Sequence, residues 1–477
     1  MRRLVANRSV VVHFESEQSR DREGAVFSAR EQLDRLLTRA AQSRVNHHHS
    51  LSPTRGSFRT MRPMSLIVQK FGGTSVATAE RIHRAARRAI RAKLEGRQVV
   101  LVVSAMGHAT DELISLAHQV TTDPPKRELD MLLTTGEQVS IALMAMAIHA
   151  AGHEAISLTA AQLGLICDSV HTRARIQRIN RDRLDRELAQ SKIVIVAGFQ
   201  GIDAGGEIYT LGRGASDTTA AALAAVLGAE VCEIYTDVDG VYTSDPRLVP
   251  KARKIDRIAY DVMLEMAAAG AGVMHSRAIE FGKKFGVPIH VRSSLTDAKG
   301  TMIVAETHAM ESIAVQGVTL KQDLAMVTFQ GVPNTAGVAA RVFAEVARNN
   351  ILVDDIVQNI YDGGRLANLS FSTNMSEAGE AQVVCERIAA QVGIERVVVD
   401  RGVSKVSAIG VGMRTHTGIA ATMFDALAKA AVNIENISTS EIVISVIVRR
   451  EDGPRAMQFI HSAFGLDDSI GEKSGAL

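Results

Sequence analysis

Along most of the chain, apolar positions fall into two alternating kinds of segment. Short, nearly continuous apolar runs at 99–103, 193–197, 231–236 and 287–291 stand between longer stretches of helical periodicity such as 77–94 and 127–151. A strand covered on both faces has no side that meets water, so its sequence shows no polar alternation. This grammar predicts a mostly parallel sheet with helices on both faces. The first apolar run, from Leu66 to Lys70, is followed by Gly72-Gly73 and then by the 77–94 stretch. Strand, glycine turn and helix is an arrangement that presents backbone N–H groups to an anion, although a Gly-Gly turn by itself is as often an ordinary loop.

After about residue 311 the grammar changes, and two units of similar length repeat the order strand, glycine-containing loop, helix, strand. In the first, 325–329 precedes Asn334-Thr335-Ala336-Gly337, a helix to Ala347 and a strand near 351–356. In the second, 406–411 precedes Thr415-His416-Thr417-Gly418, a helix to Ala430 and Val432-Asn433-Ile434. Each unit fits a small βαββαβ sandwich that leaves a sheet face or edge free to pair with its twin. The expected organisation is a basic extension over 1–63, a large α/β unit over 64–305, and two βαββαβ units over 311–392 and 400–470.

Composition narrows the function classes. The chain has 477 residues, no Trp and only 4% aromatics, which argues against a base-stacking nucleic-acid surface. Its apolar runs are strand-length, far short of the roughly 20 residues of a membrane-crossing helix, so no membrane partner is expected. Cys167, Cys232 and Cys385 are widely spaced with no CxxC pair, which points to a reducing, cytoplasmic setting without a disulfide framework or zinc site. The first 63 residues carry twelve arginines, no lysine and six acidic residues, whereas the whole chain is only +2. That segment reads as a dispensable extension, and Met64, next to the first convincing strand, as the better start. The run His47, His48, His49 lies in a Ser/Arg-rich stretch and suggests no built metal site. Asp237 and Asp239 lack the spacing of a calcium loop, so no resident metal is expected.

Four motifs occur in order: Lys70-Phe71-Gly72-Gly73-Thr74-Ser75; Thr135-Gly136-Glu137; Leu211-Gly212-Arg213-Gly214-Ala215-Ser216-Asp217-Thr218-Thr219; and Tyr235-Thr236-Asp237-Val238-Asp239-Gly240-Val241-Tyr242-Thr243-Ser244-Asp245-Pro246-Arg247. Together they resemble the signatures of the aspartate kinase family over residues 64 to about 466, and the paired tail units resemble ACT domains, that family's small-ligand sensors. The resemblance implies an amino-acid-kinase fold followed by tandem ACT domains. It also implies ATP with Mg²⁺, and phosphorylation of the L-aspartate side-chain carboxylate to 4-phospho-L-aspartate, the first step toward lysine, threonine and methionine.

The chemistry of such a reaction suits these residues. A side-chain carboxylate with a reference pKa near 3.9 is already ionised at neutral pH, so no general base is needed and charge neutralisation is the main task. Lys70 supplies a point charge, and Arg213 in its Gly-flanked loop suits bidentate binding of a carboxylate. The resemblance implies that Lys70 and Asp217 are catalytic, with Asp217 orienting Lys70, while Thr110, Glu137, Arg213, Gly214, Ala215 and Ser216 bind aspartate. Ser216 and Asp217 also read as plain helix caps. The resemblance places Lys70, Phe71, Gly72, Gly73, Ser104, Tyr235, Thr236, Val241, Tyr242, Thr243, Ser244, Asp245 and Pro246 at the nucleotide, through backbone or side chain.

The chain also departs from the family pattern. Gly270-Ala271-Gly272-Val273-Met274-His275 carries Gly272 where relatives commonly have a nucleotide-contacting Lys, which leaves Lys283 or Lys284 as replacements. His108 stands where Asp is frequent, and Ala215 replaces a Gly, adding a methyl group that disfavours positive φ. In the tail, Asn334, Asp354, Gln358, Asn359, Asn433, Ile434, Ser440 and Glu441 resemble an allosteric inhibitor site, or else serve turn and cap chemistry. Lysine is the expected inhibitor, with threonine a second candidate. Pairing through the tail implies a homo-oligomer or a complex with a shorter ACT-only subunit, which Met310 could start. The rival reading, resting on Gly272, is a catalytically weakened paralogue that senses an amino acid and regulates a partner.

Overall fold

The computed structural model describes residues 65–212, 214–307, 313–414 and 416–467, together with the pair Val12–His13. Met64, Arg213, Met310, Thr415 and the histidines at 47–49 lie outside the described residues. Eight strands form the main sheet in the order Arg257–Ala259, Thr301–Val304, Ile289–Ser293, Val231–Thr236, Leu66–Phe71, Gln98–Val103, Ile193–Ala197 and Ala155–Leu158. Every pairing is parallel except that of Ile289–Ser293 with Thr301–Val304. Six strands therefore end at one edge, where open α/β sheets form their ligand sites.

Alternation along each strand divides the core into two layers. Ile67 and Phe71 pack with helices Ala79–Leu94 and Thr135–Ala150 on one face, whereas Val68 packs on the other with helices Ala215–Leu227 and Ser276–Phe285. Helix Ala79–Leu94 starts where Thr78 accepts a hydrogen bond from the Arg81 N–H, and it buries Ile82, Ala85, Ala86, Ala89 and Ile90 as one stripe. The single helix expected over 127–151 is divided at Thr134 into Lys126–Leu133 and Thr135–Ala150. The Thr134 carbonyl accepts a hydrogen bond from the Gln200 side chain. Taken as one stretch, Lys126–Ala150 has the length and apolarity to cross a membrane, but half of its apolar window is buried within the protein, as in a core helix.

The first tail unit runs Leu324–Pro333, Val338–Arg348, Ile356–Tyr361, Leu366–Asn374, Ala378–Val392, Arg396–Asp400, which is the expected βαββαβ order. The second runs Val403–Ile409, Ile419–Lys429, Asn436–Thr439, Val443–Arg449, Gly453–Ala463 and has no strand of its own after the last helix among the described residues. That place is taken by Gly317–Lys321, which pairs antiparallel with Val403–Ile409. The expected start of the first unit at 311 is thus corrected: the strand preceding it in the chain belongs to the second unit's sheet, and the first unit is inserted between. Apolar periodicity identifies a strand but not the sheet that receives it.

The returning segment lies against Gly410, where a β-carbon would overlap the Ala314 carbonyl and approach the Val315 Cα to 2.8 Å. Gly410→Ala should cost about 1–3 kcal/mol, as overpacking does. Urea unfolding should show this as a lowered midpoint. Gly379→Ala, in an open helical position, should leave the midpoint unchanged or slightly raised.

Candidate active site

Lys70 sits one residue from the end of its strand, so alternation turns it with Val68 toward helix Ala215–Leu227. Its Nζ lies 2.6 Å from Asp217 Oδ1, with both side chains largely buried. The second Asp217 oxygen accepts the His275 N–H at 3.2 Å. Asp217 occupies the first helical turn, where the helix dipole favours its negative charge. The residue at the N-cap is Gly214, and no side chain caps this helix. Asp217 therefore faces Lys70 instead of satisfying the helix end.

The loops beyond neighbouring strands close tightly around this pair. A β-carbon on Gly73 would come within 2.8 Å of the Ala105 carbonyl and 2.9 Å of the Gly107 carbonyl. Gly107 N–H donates to the Gly73 carbonyl, Ser104 N–H to the Phe71 carbonyl, and Gly72 N–H to the Tyr235 carbonyl. Glu137 enters from helix Thr135–Ala150; Gly136, whose β-carbon would meet Ala105 Cβ at 2.9 Å, permits that approach. Glu137 Oε1 accepts the Ala105 N–H at 3.1 Å, while Oε2 is buried without a hydrogen-bond partner among the described residues. Burial pushes the carboxyl up to about 7, against the smaller opposing effect of the Ala105 hydrogen bond. A buried carboxylate with one free oxygen offers a place for a cation.

Arg213 lies outside the described residues, but its flanks are set: Gly212 and Gly214 have φ of 89° and 73°, and a β-carbon on Gly214 would press on the His275 ring. Ala215 is fully buried as the first residue of the helix and is not in the positive-φ region, so the strain expected from its methyl group does not arise. Ser216 packs against Gly198, and Thr110 is half-buried in the first turn of helix Ala109–Val120. His108 is exposed beside Asp111. Sequence reasoning missed Asp130. Wholly buried, it accepts hydrogen bonds from the Thr210 hydroxyl at 2.6 Å and the Thr172 N–H, and lies 2.7 Å from His171 Nδ1. It thereby ties the strand leading to Arg213 to the helix preceding Glu137. A lone Asp in a helix carries no sequence signal for such a role.

A cleft of about 730 Å³ is lined by Thr236, Val241, Tyr242, Ser244, Asp245 and Pro246 of the expected nucleotide set, whereas Lys70, Gly72, Gly73 and Ser104 are not among its lining residues; its size is typical of ligand sites. Met266, Val273 and Leu295 add apolar wall, and Val318, Thr319, Leu320 and Met457 enter from the tail. Phe71 and Tyr235 point the other way: their rings stack at 4.7 Å, and Tyr235 lines a separate cavity of about 460 Å³ on the opposite sheet face, with Gln69, Glu233 and Arg292. Neither residue lines the cleft. Thr243 is buried behind the cleft wall. Gly272 borders the cleft with open space beyond its Cα, whereas Lys283 pairs with Asp261 and Lys284 lies over the Phe285 ring, so neither expected replacement lines the cleft.

The tail candidates do not form one cluster. Gln358 donates to Asn334 Oδ1, Asn334 donates to the Gly364 carbonyl, and Asn359 is exposed on the same strand as Gln358. Asp354 turns instead toward Lys405 and Lys321 of the second unit's sheet. Asn433 and Ile434 follow helix Ile419–Lys429, Ser440 N–H donates to the Val443 carbonyl, and Glu441 pairs with Arg414.

A sheet of this order, with a lysine held against a carboxylate at its parallel edge, is the architecture of the amino acid kinase class of phosphotransferases. Residues 65–293 match the amino acid kinase family and residues 406–464 an ACT domain. The chain is 48% identical over 406 residues to an aspartokinase of Bacillus sp. (strain MGA3), covering 85% of this chain and 98% of that protein. It is 46% identical over 409 residues to an aspartate kinase of Stutzerimonas stutzeri, covering 86% and 99%. E. coli aspartokinase III in complex with aspartate and ADP aligns at a TM-score of 0.71 and 24% identity, over 83% of this chain and 99% of that one. The chain belongs to the aspartokinase family. Its activity is that of an aspartate kinase, and the regulatory-paralogue reading gives way to it.

The environment of Glu137 can be read directly. In glutamate-labelled protein, one carboxyl should titrate near pH 7 by ¹³C NMR, and that resonance should vanish in Glu137→Gln.

Proposed function

We propose that the cleft binds ATP and that the γ-phosphoryl group lies between it and Lys70. An oxygen of the aspartate side-chain carboxylate attacks the γ-phosphorus, the bond to the β,γ-bridging oxygen breaks, and ADP leaves with the electron pair. No proton is transferred, because the attacking carboxylate is ionised. Lys70 offsets the negative charge gathered around phosphorus, and Asp217 holds the ammonium group in place. Thr110, Glu137, Arg213, Gly214, Ala215 and Ser216 form the amino-acid site. There the Arg213 guanidinium pairs with the α-carboxylate and Glu137 Oε2 receives the α-ammonium. The nucleotide enters as its magnesium complex. Both Asp217 oxygens are engaged by Lys70 and the His275 N–H, and the ion arrives as part of the substrate.

The Lys70–Asp217 pair carries this reading. The full chain, given ATP, Mg²⁺ and aspartate with hydroxylamine to trap the acyl phosphate, should form hydroxamate. Lys70→Ala should lose at least about a hundredfold in kcat, in the range for loss of a transition-state contact. Hydroxamate from Lys70→Ala at the wild-type rate would overturn the assignment. Because Glu137 must be ionised to receive an ammonium group, the KM for aspartate should rise as pH falls from 8 to 6, and Glu137→Gln should flatten that dependence. Gly272→Lys, with room for the side chain, should lower the KM for ATP.

We also propose that lysine, with threonine a second candidate, inhibits through the tail around Asn334, Gln358 and Asn359 by binding one arrangement of the protein better than another. Chains pair through the tail sheets or with a shorter ACT-only subunit, in the cytoplasm. Inhibition by lysine that Gln358→Ala weakens would support this; lysine and threonine titrations without effect would dismiss it.

A further inference from the structure

The tail is built into the nucleotide site as well as attached to it. Helix Gly453–Ala463 places Met457 in the cleft wall and, one turn on, His461, which is wholly buried. His461 Nε2 lies 2.9 Å from Thr243 Oγ1, across 218 residues of sequence. The Thr243 hydroxyl oxygen already accepts the Arg253 N–H at 2.9 Å, which leaves its proton free to be donated to Nε2. Burial lowers the imidazole below its usual value; Nδ1, buried without a hydrogen-bond partner among the described residues, carries the proton in the tautomer whose Nε2 accepts that bond. On either side of Thr243, Tyr242 and Ser244 line the cleft. The same loop is tied to the tail's returning strand: Val318 N–H donates to the Thr243 carbonyl at 2.8 Å and the Ser244 hydroxyl to the Val318 carbonyl at 2.8 Å. Arg253 Nε donates to the Leu466 carbonyl and the Gln458 side chain to the Leu248 carbonyl.

We propose that His461 is a positioning residue for nucleotide binding: through Thr243 it fixes the 242–245 loop against the bound nucleotide, so the second tail unit completes the ATP site. This rests on the reading of the cleft as that site. His461 touches no substrate and acts through the loop alone. Losing the imidazole leaves the Thr243 hydroxyl held by the Arg253 N–H alone, so the loop loosens on that side while its bonds to Val318 and the core of the tail remain. By reciprocity, a tail rearrangement that breaks this bond weakens nucleotide binding, and bound nucleotide resists that rearrangement.

The test is steady-state kinetics and direct nucleotide binding on the full chain. His461→Leu keeps an apolar filling of similar size and removes the acceptor; it should raise the KM for ATP about five- to tenfold, as loss of one buried hydrogen bond does, with the KM for aspartate unchanged. His461→Gln, which can place a polar atom near Nε2, should restore most of the difference. Thr243→Val should act in the same direction, and the double variant should be no worse than the more severe single one. A His461→Leu enzyme with wild-type KM for ATP, or one whose two KM values rise together, overturns the proposal. Gly272→Trp is the separate control for the cleft, since Gly272 faces open space in the wall. If it leaves ATP binding untouched, the cleft reading itself fails; if it abolishes ATP binding while His461→Leu does nothing, only the role of His461 fails.

Discussion

The placement of one cation governs the rest of the site. In the proposed reaction Lys70 stands where a phosphoryl group arrives, and burying an ammonium group without a partner is costly. Asp217 removes that cost at 2.6 Å. The pair in turn requires three features of the fold. Strand alternation must send Lys70 to the same face as helix Ala215–Leu227, the helix must begin so that Asp217 falls in its first turn, and the glycine loops must close without side chains between them. A cation paired in this way can neutralise phosphate charge without competing for a proton, which suits an acceptor that needs no base.

Around this pair, each loop is fixed by a neighbour distant in sequence. Asp130 ties the strand before Arg213 to the helix before Glu137, and Glu137 is held by the Ala105 N–H. The loop at 242–245 is held by Val318 and His461 of the tail. The tail's own construction makes this possible: the second unit takes its fourth strand from Gly317–Lys321, and Val318, Thr319 and Leu320 of that strand line the cleft. Catalytic and tail cores are continuous as well, since Ile409 and Val411 pack in the catalytic core and Val249 packs in the tail core. A change in tail packing has a short mechanical route to the 242–245 loop.

The parallel sheet with helices on both faces and the repeated tail pattern were legible because unbroken apolar runs and 3.6-residue periodicity are local consequences of burial. The glycine turn after Lys70, the glycines flanking Arg213 and the paired motifs of the site were legible for the same reason: each reflects a local backbone or charge requirement. The sequence by itself therefore determined the fold class, the family resemblance and the residues from which a site could be built. Tertiary structure alone decided what depends on contacts between distant segments. It took the Phe71 and Tyr235 rings to the far face of the sheet, relieved Ala215 of the expected strain, left Lys283 and Lys284 away from the cleft, assigned Gly317–Lys321 to the second tail sheet, and brought His461 to Thr243. Periodicity shows that a residue is buried, but it carries no information about which distant residue it is buried against.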